Sequence, residues 1–240
     1  MEQNLIPSNP AAEVDPPKFI GAPMKVLTEA QLDAFMKVIE KDEFWHDFFY
    51  TAVTTGLRRG EICALRWEDF DTKQKALHVR RTLHKEKGKP LTTGDTKTYA
   101  GTRKIVLPPS TAQLLRERKK TAPTEWIFPN PFDPEHPIAP STAYNRLKVL
   151  LKEAGLPDIR FHDLRHTFAT HALSSGVDAK TLAGILGHTK ASFTLDTYTH
   201  TTGDMHQRAA EIVGGFLNDY LGEEMNPWQS RENMAAAPSV

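Results

Sequence analysis

The chain has 240 residues, of which 39% are hydrophobic, and it has a single cysteine and a formal net charge of zero. This length allows one sizeable core, and a lone Cys63 among apolar neighbours excludes a disulfide framework and indicates a buried thiol. Because the sequence contains neither a run of about 18 apolar residues nor a secretory signal pattern, we expect a soluble intracellular protein with one main domain.

The charges are unevenly distributed along the chain. Residues 51–108 contain 13 lysines and arginines against 6 aspartates and glutamates, whereas residues 1–50 contain 4 against 9. A segment with this basic excess could contact phosphate groups while the ends of the chain stay neutral to acidic. An ordinary solvated charged face would give the same counts, so the motifs must decide.

Ordered structure is predicted to begin near residue 28. Residues 1–25 contain five prolines and no apolar period, which predicts an extended linker. Thr28 and Gln31 then fit a capping box, and apolar residues recur at helical spacing after them.

The remaining elements predict an α+β fold that is mainly helical. Two strands flank a polar loop and indicate a small antiparallel β-sheet insertion. No pattern is present in residues 223–240, which predicts a disordered tail. After the first helix, the predicted helices cover residues 43–55 (ending at Gly56), 59–67, 109–120, 141–154, 163–175, 178–186, 192–200 and 204–221, and the predicted strands cover residues 76–83 and 103–107.

Three basic side chains are predicted to share one helix face. His162, Arg165 and His166 lie at positions i, i+3 and i+4, so they project together from the start of a helix. Crowded cations favour an anion, and a guanidinium group matches the paired oxygens of a phosphate. A metal site at the two histidines is the weaker alternative, because a nearby carboxylate or cysteine ligand is missing.

Two further fragments are ambiguous when taken separately. Arg58 follows the helix-ending Gly56, and Glu61 lies three residues later, which fits a routine ion pair at a helix terminus as well as a functional arginine. His188 follows a short helix, and Tyr198 lies ten residues beyond it in a threonine-rich stretch, where a partly buried structural tyrosine is the usual finding.

In this order, the fragments resemble the tyrosine recombinase family, which includes the phage and conjugative-transposon integrases and their Xer and Cre relatives. The resemblance covers roughly residues 25–222. Residues 55–61 look like the family's first arginine box, residues 162–166 like its His-x-x-Arg-His box, residues 186–188 like its second histidine box, and Tyr198 like its nucleophile.

The resemblance implies that DNA is cut and rejoined through a 3′-phosphotyrosine on Tyr198. Arg58 and Arg165 would hold the non-bridging phosphate oxygens, and His188 would add a hydrogen bond. His162 would accept the tyrosine proton or bind the phosphate. The implied reaction needs no cofactor and no metal.

The resemblance also implies roles for three other residues. Lys97 resembles the family's β-hairpin lysine and would protonate the departing 5′ oxygen, although Lys104 and Lys89 are nearby alternatives. Glu61 would orient the first arginine, and His166 would support the site from behind.

The expected organisation follows from the same resemblance. Residues 26–222 would form the catalytic domain, and residues 1–25 would be the end of a linker from a DNA-clamping domain that this chain lacks. The expected partners are double-stranded DNA, further copies of the chain in a tetramer formed through residues 204–221, and an accessory excision factor. The expected location is the bacterial cytoplasm, at the nucleoid.

Three competing interpretations stay open from the sequence. Residues 178–198 could form a helix-turn-helix in a DNA-binding module without catalytic activity. A type IB topoisomerase would share the nucleophile chemistry but would relax DNA without pairing sites. A helical scaffold unrelated to nucleic acids would leave the ordered motifs without an explanation.

Overall fold

The computed structural model describes residues 24–84, 91–95 and 102–188, together with Val14. In these residues the helices are α1 (Glu29–Ile39), α2 (Glu43–Thr55), α3 (Arg59–Cys63), α4 (Pro109–Lys120), α5 (Pro140–Glu153), α6 (Phe161–Ser174) and α7 (Ala179–Leu186). The strands are β1 (Phe70–Asp71), β2 (Ala76–Val79), β3 (Arg81–His84), β4 (Thr92–Asp95), β5 (Arg103–Val106), β6 (Pro129–Asn130) and β7 (Asp133–Pro137). The described chain is therefore mainly helical, and its strands lie between α3 and α5 in sequence.

The described strands form three small antiparallel sheets. In the first, β2 lies between β1 and β5, with Leu77 opposite Ile105. The strands β3 and β4 form one hairpin, and β6 and β7 form another. Since side chains alternate along a strand, the buried Ile105 places Arg103 on the inner face of β5 and the exposed Lys104 on the outer face.

The centre of the core is α2. Its Phe48 and Phe49 are completely buried, and their rings contact Phe35 of α1, Phe161 of α6 and Phe128. Burying each of these rings contributes about 1.5–3 kcal/mol to stability. This aromatic cluster fixes α2 and α6 relative to each other.

Gly56 ends α2 at the point where that helix meets α6. Its backbone is left-handed, with φ of 62°, which a glycine adopts without strain. A Cβ atom at this position would lie 2.4 Å from Cδ1 of Phe168. A side chain is therefore excluded by both the backbone conformation and the close approach of α6.

Most of the predicted helices in the described residues are confirmed. The capping box of Thr28 and Gln31 is present, with both reciprocal hydrogen bonds. The structure also has α2 and α4 over the predicted residues, and α5, α6 and α7 begin and end within two residues of the predicted bounds. Gly155 and Gly176, which follow the ends of α5 and α6, both have positive φ.

The structure differs from the sequence prediction in its shorter elements. The predicted helix at residues 59–67 ends at Cys63, and a 3-10 turn follows at Trp67–Asp69. The predicted strand at residues 76–83 is interrupted at Arg80, because β2 pairs with β5 whereas β3 pairs with β4. The sequence does not predict the β6–β7 hairpin, since its prolines and acidic residues have low strand propensity.

Several predictions lie outside the described residues. These are the linker at residues 1–25, apart from its last two residues and Val14, the helices at residues 192–200 and 204–221, and the tail at residues 223–240. Among the helices that the structure describes, none combines the length and the apolar character that a membrane span requires.

Candidate active site

Arg58 lies between α2 and α3 and is held by the carboxylate of Glu61. Its backbone N–H donates to Oε2 of Glu61 at 2.8 Å, and its Nη1 donates to Oε1 at 2.8 Å. Its Nη2 also donates to the carbonyl oxygen of Gly187 at 3.3 Å. These contacts fix the guanidinium group. Because 39% of the side chain is exposed, the group is still accessible to a ligand.

Glu61 is a buried carboxylate between two arginines. Besides Arg58, it accepts from Arg103, whose Nη1 lies 3.0 Å from Oε1 and whose Nη2 lies 2.9 Å from Oε2. Burial by itself would raise the pKa of Glu61, but the hydrogen bonds and charge of Arg103 and the charge of Arg58 outweigh burial and lower it to about 2. The carboxylate is therefore ionised at any working pH.

Arg165 is buried in α6 with only 1% of its surface exposed. Its Nη1 donates to the carbonyl oxygen of Gly56 at 2.9 Å, and its Nη2 donates to that of Leu186 at 2.5 Å. The same Nη2 lies 3.0 Å from Nε2 of His188. A single guanidinium group thus joins the C-terminal ends of α2 and α7.

His188 follows α7 immediately after Gly187, which ends that helix with φ of 69°. Burial, followed by the charges of Arg165 and Arg58, lowers the pKa of His188 to about 4. The imidazole is therefore neutral near pH 7, and its Nε2 carries no proton when it accepts from Arg165. In this tautomer, Nδ1 carries the proton that the ring can donate.

His162 and His166 lie one turn apart at the start of α6. Their rings are 4.5 Å apart and nearly perpendicular. Partial burial, and then the charges of Arg165 and Arg58, lower the pKa of His162, whereas burial and the neighbouring His162 lower that of His166 to about 4. His162 is the more exposed of the two and His166 is buried, so the first of the two is placed to meet a ligand.

A basic cleft opens beside Arg58 and His162. It has a volume of about 250 Å³. Its cations would attract an anion, and a guanidinium group can donate to two oxygens of a phosphate at once. The cleft is lined by Leu57, Arg58, Arg59, Tyr144, Arg160, Phe161 and His162.

The part of the chain that the structure describes contains side chains of the metal-ligating types and one cysteine thiol. Within residues 24–84, 91–95 and 102–188, no three His, Cys, Asp or Glu side chains form a group that could hold a metal ion. Cys63 is fully buried, and burial raises the pKa of its thiol to about 12, so it stays protonated and unreactive.

A comparison with protein families shows to which family the chain belongs. Residues 25–204 match the sequence model of the phage integrase family. The chain belongs to the phage integrase family. The family resemblance that the ordered motifs predict is therefore confirmed.

Two relatives show how much sequence this integrase-family chain has in common with known proteins. A tyrosine recombinase XerC-like protein of Caldanaerobacter subterraneus is 31% identical over 69% of this chain and 48% of its own length. A putative prophage phiRv2 integrase of Mycobacterium tuberculosis is 33% identical over 69% of this chain and 45% of its own length. The chain thus spans about half the length of the curated relatives that it matches.

Solved structures support the predicted fold. The Tn1549 transposon integrase in complex with transposon right end DNA has a TM-score of 0.72 to this integrase-family chain, at 25% identity, covering 89% of this chain and 74% of the other. The XerA recombinase has a TM-score of 0.63 at 22% identity, covering 79% and 65% of the two chains. The prediction of a mainly helical α+β fold of this family is confirmed.

The structure brings together the site residues predicted in the described segments. Arg58, Glu61, Arg165 and His188 are connected by direct hydrogen bonds or by shared contacts with residues 186–187. His162 lines the same cleft as Arg58, and His166 packs behind it.

Two predicted catalytic residues, Lys97 and Tyr198, lie outside the described residues, as does the alternative Lys89. The other alternative, Lys104, is exposed on the outer face of β5, where its Nζ contacts Oε1 of Gln74. That position is on the opposite face of the strand from the site.

Arg103 is a site residue that the sequence motifs do not predict. It is 6% exposed, and it contacts both Glu61 and the carbonyl oxygen of Ile185. Its only sequence signal is alternation along the strand, because Arg103 shares the inward face with the apolar Ile105. A basic residue at an inward position of a strand needs a buried partner, and Glu61 is that partner.

Proposed function

We propose that the chain is the catalytic part of a site-specific DNA recombinase, which cuts and rejoins DNA strands of a mobile element through a 3′-phosphotyrosine on Tyr198. The observation that carries this proposal is the convergence of Arg58, Arg165 and His188 at the ends of α2 and α7. Membership in the phage integrase family and the fold shared with a DNA-bound transposon integrase support it.

Two guanidinium groups meet at one turn, where we propose that they hold one phosphate. Arg165 donates to the carbonyl of Leu186, and Arg58 donates to that of the next residue, Gly187. The two side chains therefore approach the same turn from different elements. A phosphodiester bound there would have its non-bridging oxygens between two fixed cations, which stabilise the additional charge of the transition state.

The histidines supply the neutral groups that the reaction needs. His188 is neutral at working pH and can donate a hydrogen bond to a phosphate oxygen through Nδ1–H. His162 is also neutral, because its pKa is lowered, so it can accept the proton of Tyr198 when the hydroxyl attacks. A bound phosphate anion would raise the pKa of both rings and thereby favour this proton uptake.

The proposed step conserves the number of phosphoester bonds. The hydroxyl oxygen of Tyr198 forms a bond to phosphorus while the bond from phosphorus to the 5′ oxygen breaks. His162 takes the tyrosine proton, and Lys97 gives a proton to the departing 5′ oxygen. Rejoining is the reverse step with a different 5′ hydroxyl, so the reaction needs no nucleotide cofactor.

The proposal extends to the partners and the domain. Residues 26–222 would form the catalytic domain, and double-stranded DNA would lie across the basic cleft beside Arg58. The predicted helix at residues 204–221 would pack on a neighbouring copy in a tetramer on DNA, and an accessory excision factor would set the direction of recombination.

Covalent capture of DNA tests this function and identifies the recombination site in the same experiment. The protein is incubated with a pool of nicked duplexes that have a randomised core, and DNA that stays attached after denaturation is recovered and sequenced. A nick beside the cleaved bond lets the short 5′ product diffuse away, so the covalent complex accumulates. We expect one recovered sequence class and attachment through Tyr198.

The matched control is Tyr198→Phe, which lacks the attacking oxygen. This variant should bind the recovered duplex with nearly the affinity of the parent and form no adduct. Binding without an adduct in the parent would instead favour a DNA-binding module. Relaxation of any supercoiled plasmid, without joining of two recovered sites, would favour a topoisomerase.

A further inference from the structure

Arg103 makes buried hydrogen bonds to two other elements of the fold. Its side chain is 6% exposed, and its two terminal nitrogens donate to the two oxygens of Glu61. Its Nε donates to the carbonyl oxygen of Ile185 at 2.6 Å. One side chain of β5 thus contacts both α3 and the last turn of α7.

The contact with Glu61 adds a second pair of hydrogen bonds that fixes the orientation of that carboxylate. A bidentate arginine fixes the plane of a carboxylate, whereas a single hydrogen bond lets it rotate. The same two oxygens hold the backbone N–H and Nη1 of Arg58. Rotation of Glu61 would therefore move the guanidinium group of Arg58 away from the cleft.

The contact with Ile185 acts on the other half of the site. Ile185 lies one residue before Leu186, whose carbonyl oxygen accepts from Arg165, and three residues before His188. By holding the carbonyl of Ile185, Arg103 fixes the turn that contains Gly187. The carbonyl of Gly187 accepts a hydrogen bond from Arg58. Both contacts of Arg103 therefore converge on the group that would bind the phosphate.

We propose that Arg103 is a positioning residue for DNA cleavage, which acts through Glu61 to hold Arg58 in the orientation that binds the scissile phosphate. This inference rests on the proposed recombinase function. Its side chain is 6% exposed, and its three guanidinium nitrogens are directed at Glu61 and the carbonyl oxygen of Ile185, so Arg103 acts on the phosphate through other residues and not by contact.

A structural ion pair elsewhere in the chain provides the matched control. Arg81 of β3 donates to the buried Asp69 at 2.8 Å and also contacts Glu68, and 15% of its side chain is exposed. Arg81 therefore resembles Arg103 in its burial and in having carboxylate partners. Its contacts join β3 to the 3-10 turn and do not involve the cleft.

The test measures single-turnover adduct formation for Arg103→Met, Arg103→Lys and Arg81→Lys. Each variant is assayed at a saturating concentration of the duplex recovered by covalent capture. Arg103→Lys keeps the charge but loses the bidentate fork, so it tests geometry even if Arg103→Met fails to fold. We expect Arg103→Lys to slow cleavage by about 10–100-fold with DNA affinity within a few-fold of the parent, as for a misplaced binding group. Arg81→Lys should cleave at the rate of the parent.

A double-mutant cycle with Arg58→Ala separates positioning from general destabilisation. If Arg103 acts through Arg58, Arg103→Lys should slow the Arg58→Ala protein much less than it slows the parent. An equal slowing in both backgrounds, or rates for Arg103→Lys close to those of the parent, would overturn the inference. Failure of the parent itself to form an adduct would instead count against the recombinase function.

Discussion

The charge on Arg165 is stabilised by helix ends. A buried guanidinium group is costly without hydrogen-bond acceptors, and Arg165 donates to the carbonyls of Gly56 and Leu186. These carbonyls lie at the C-terminal ends of α2 and α7, where the helix dipoles are negative. Dipoles stabilise the cation without cancelling its charge, so the full charge stays available for an anionic ligand.

Arg58 has a different electrostatic environment. It shares Glu61 with Arg103, so these three residues together have a single net positive charge. The depressed pKa of Glu61, about 2, keeps this balance constant over the working pH range. The site thus combines one partly neutralised arginine, which is accessible, with one buried arginine of undiminished charge.

The histidines near these cations predict a specific dependence of stability on pH. The folded-state pKa of His166 is about 4, below its ordinary value of 6.5. Between these values the unfolded chain binds more protons than the folded protein, so stability is lost as the pH falls from 6.5 towards 4. We expect His166→Asn, which removes one such group, to lose less thermal stability than the parent between pH 6.5 and 4.5.

Thermal unfolding at constant ionic strength across this pH window checks the prediction. The window ends at pH 4.5 because the depressed pKa of Glu61 affects stability mainly below that pH. Parallel curves for the parent and His166→Asn would contradict the prediction.

At the scale of elements, the site depends on how closely α3 approaches the β3–β4 hairpin. Gly60 lies in α3, two residues after Arg58. A Cβ atom at this position would lie 2.4 Å from Oγ1 of Thr82 and 2.6 Å from the backbone oxygen of Leu83. A backbone atom cannot rotate away, so any side chain at residue 60 would push the hairpin from the helix.

Gly60→Ala should therefore destabilise the fold and disturb Arg58 at the same time. We expect a loss of about 1–3 kcal/mol in the free energy of unfolding, as for overpacking, and slower cleavage of the captured duplex. Gly184→Ala in α7 is the matched control, because none of the residues that the structure describes lies within 4 Å of its Cβ position. That change should stabilise the protein by about 0.5–1 kcal/mol through helix propensity. Equal stability of the two variants in denaturant would show that α3 and β3 can separate freely.

The sequence predicts elements well where local signals are sufficient. The capping residues Thr28 and Gln31 and the terminal Gly56 define helix ends by short-range chemistry, and the structure confirms them. The split of the predicted strand at Arg80 depends on which distant strand each half pairs with, and no local pattern encodes that pairing. Short elements such as β6 and β7 are likewise determined by tertiary contacts.

The candidate site follows the same distinction. Residues within one short motif, such as Arg58 with Glu61 or His162 with His166, are predictable because helical spacing brings them together. Arg103 is 42 residues from Glu61 and 82 from Ile185 in sequence, so only the folded chain shows that it belongs to the site. Lys97 and Tyr198 stay predictions that depend on the family resemblance.

At the scale of the whole molecule, the net charge of zero conceals a local basic region. Residues 51–108 contain 13 basic and 6 acidic residues, and Arg58, Arg59 and Arg103 are among the basic ones. Arg160 and Arg165 of the later segment add to this charge from α6 and the residue before it. Folding therefore concentrates cations from separate parts of the chain on one site, and an acidic excess lies elsewhere.

This concentration of fixed cations predicts that cleavage does not depend on a divalent metal. Arg58 and Arg165 provide the positive charge that a metal ion would otherwise supply to the phosphate oxygens, and the attacking group is a tyrosine, which needs no metal-activated water. We expect the rate of adduct formation to change by less than about two-fold when EDTA is added in excess at constant ionic strength.

A magnesium-dependent nuclease in the same buffer serves as the control, because EDTA should abolish its activity and thereby show that chelation is complete. Loss of adduct formation that magnesium restores would mean that the arginines do not provide enough charge to stabilise the transition state, and the mechanism proposed for this site would have to be abandoned.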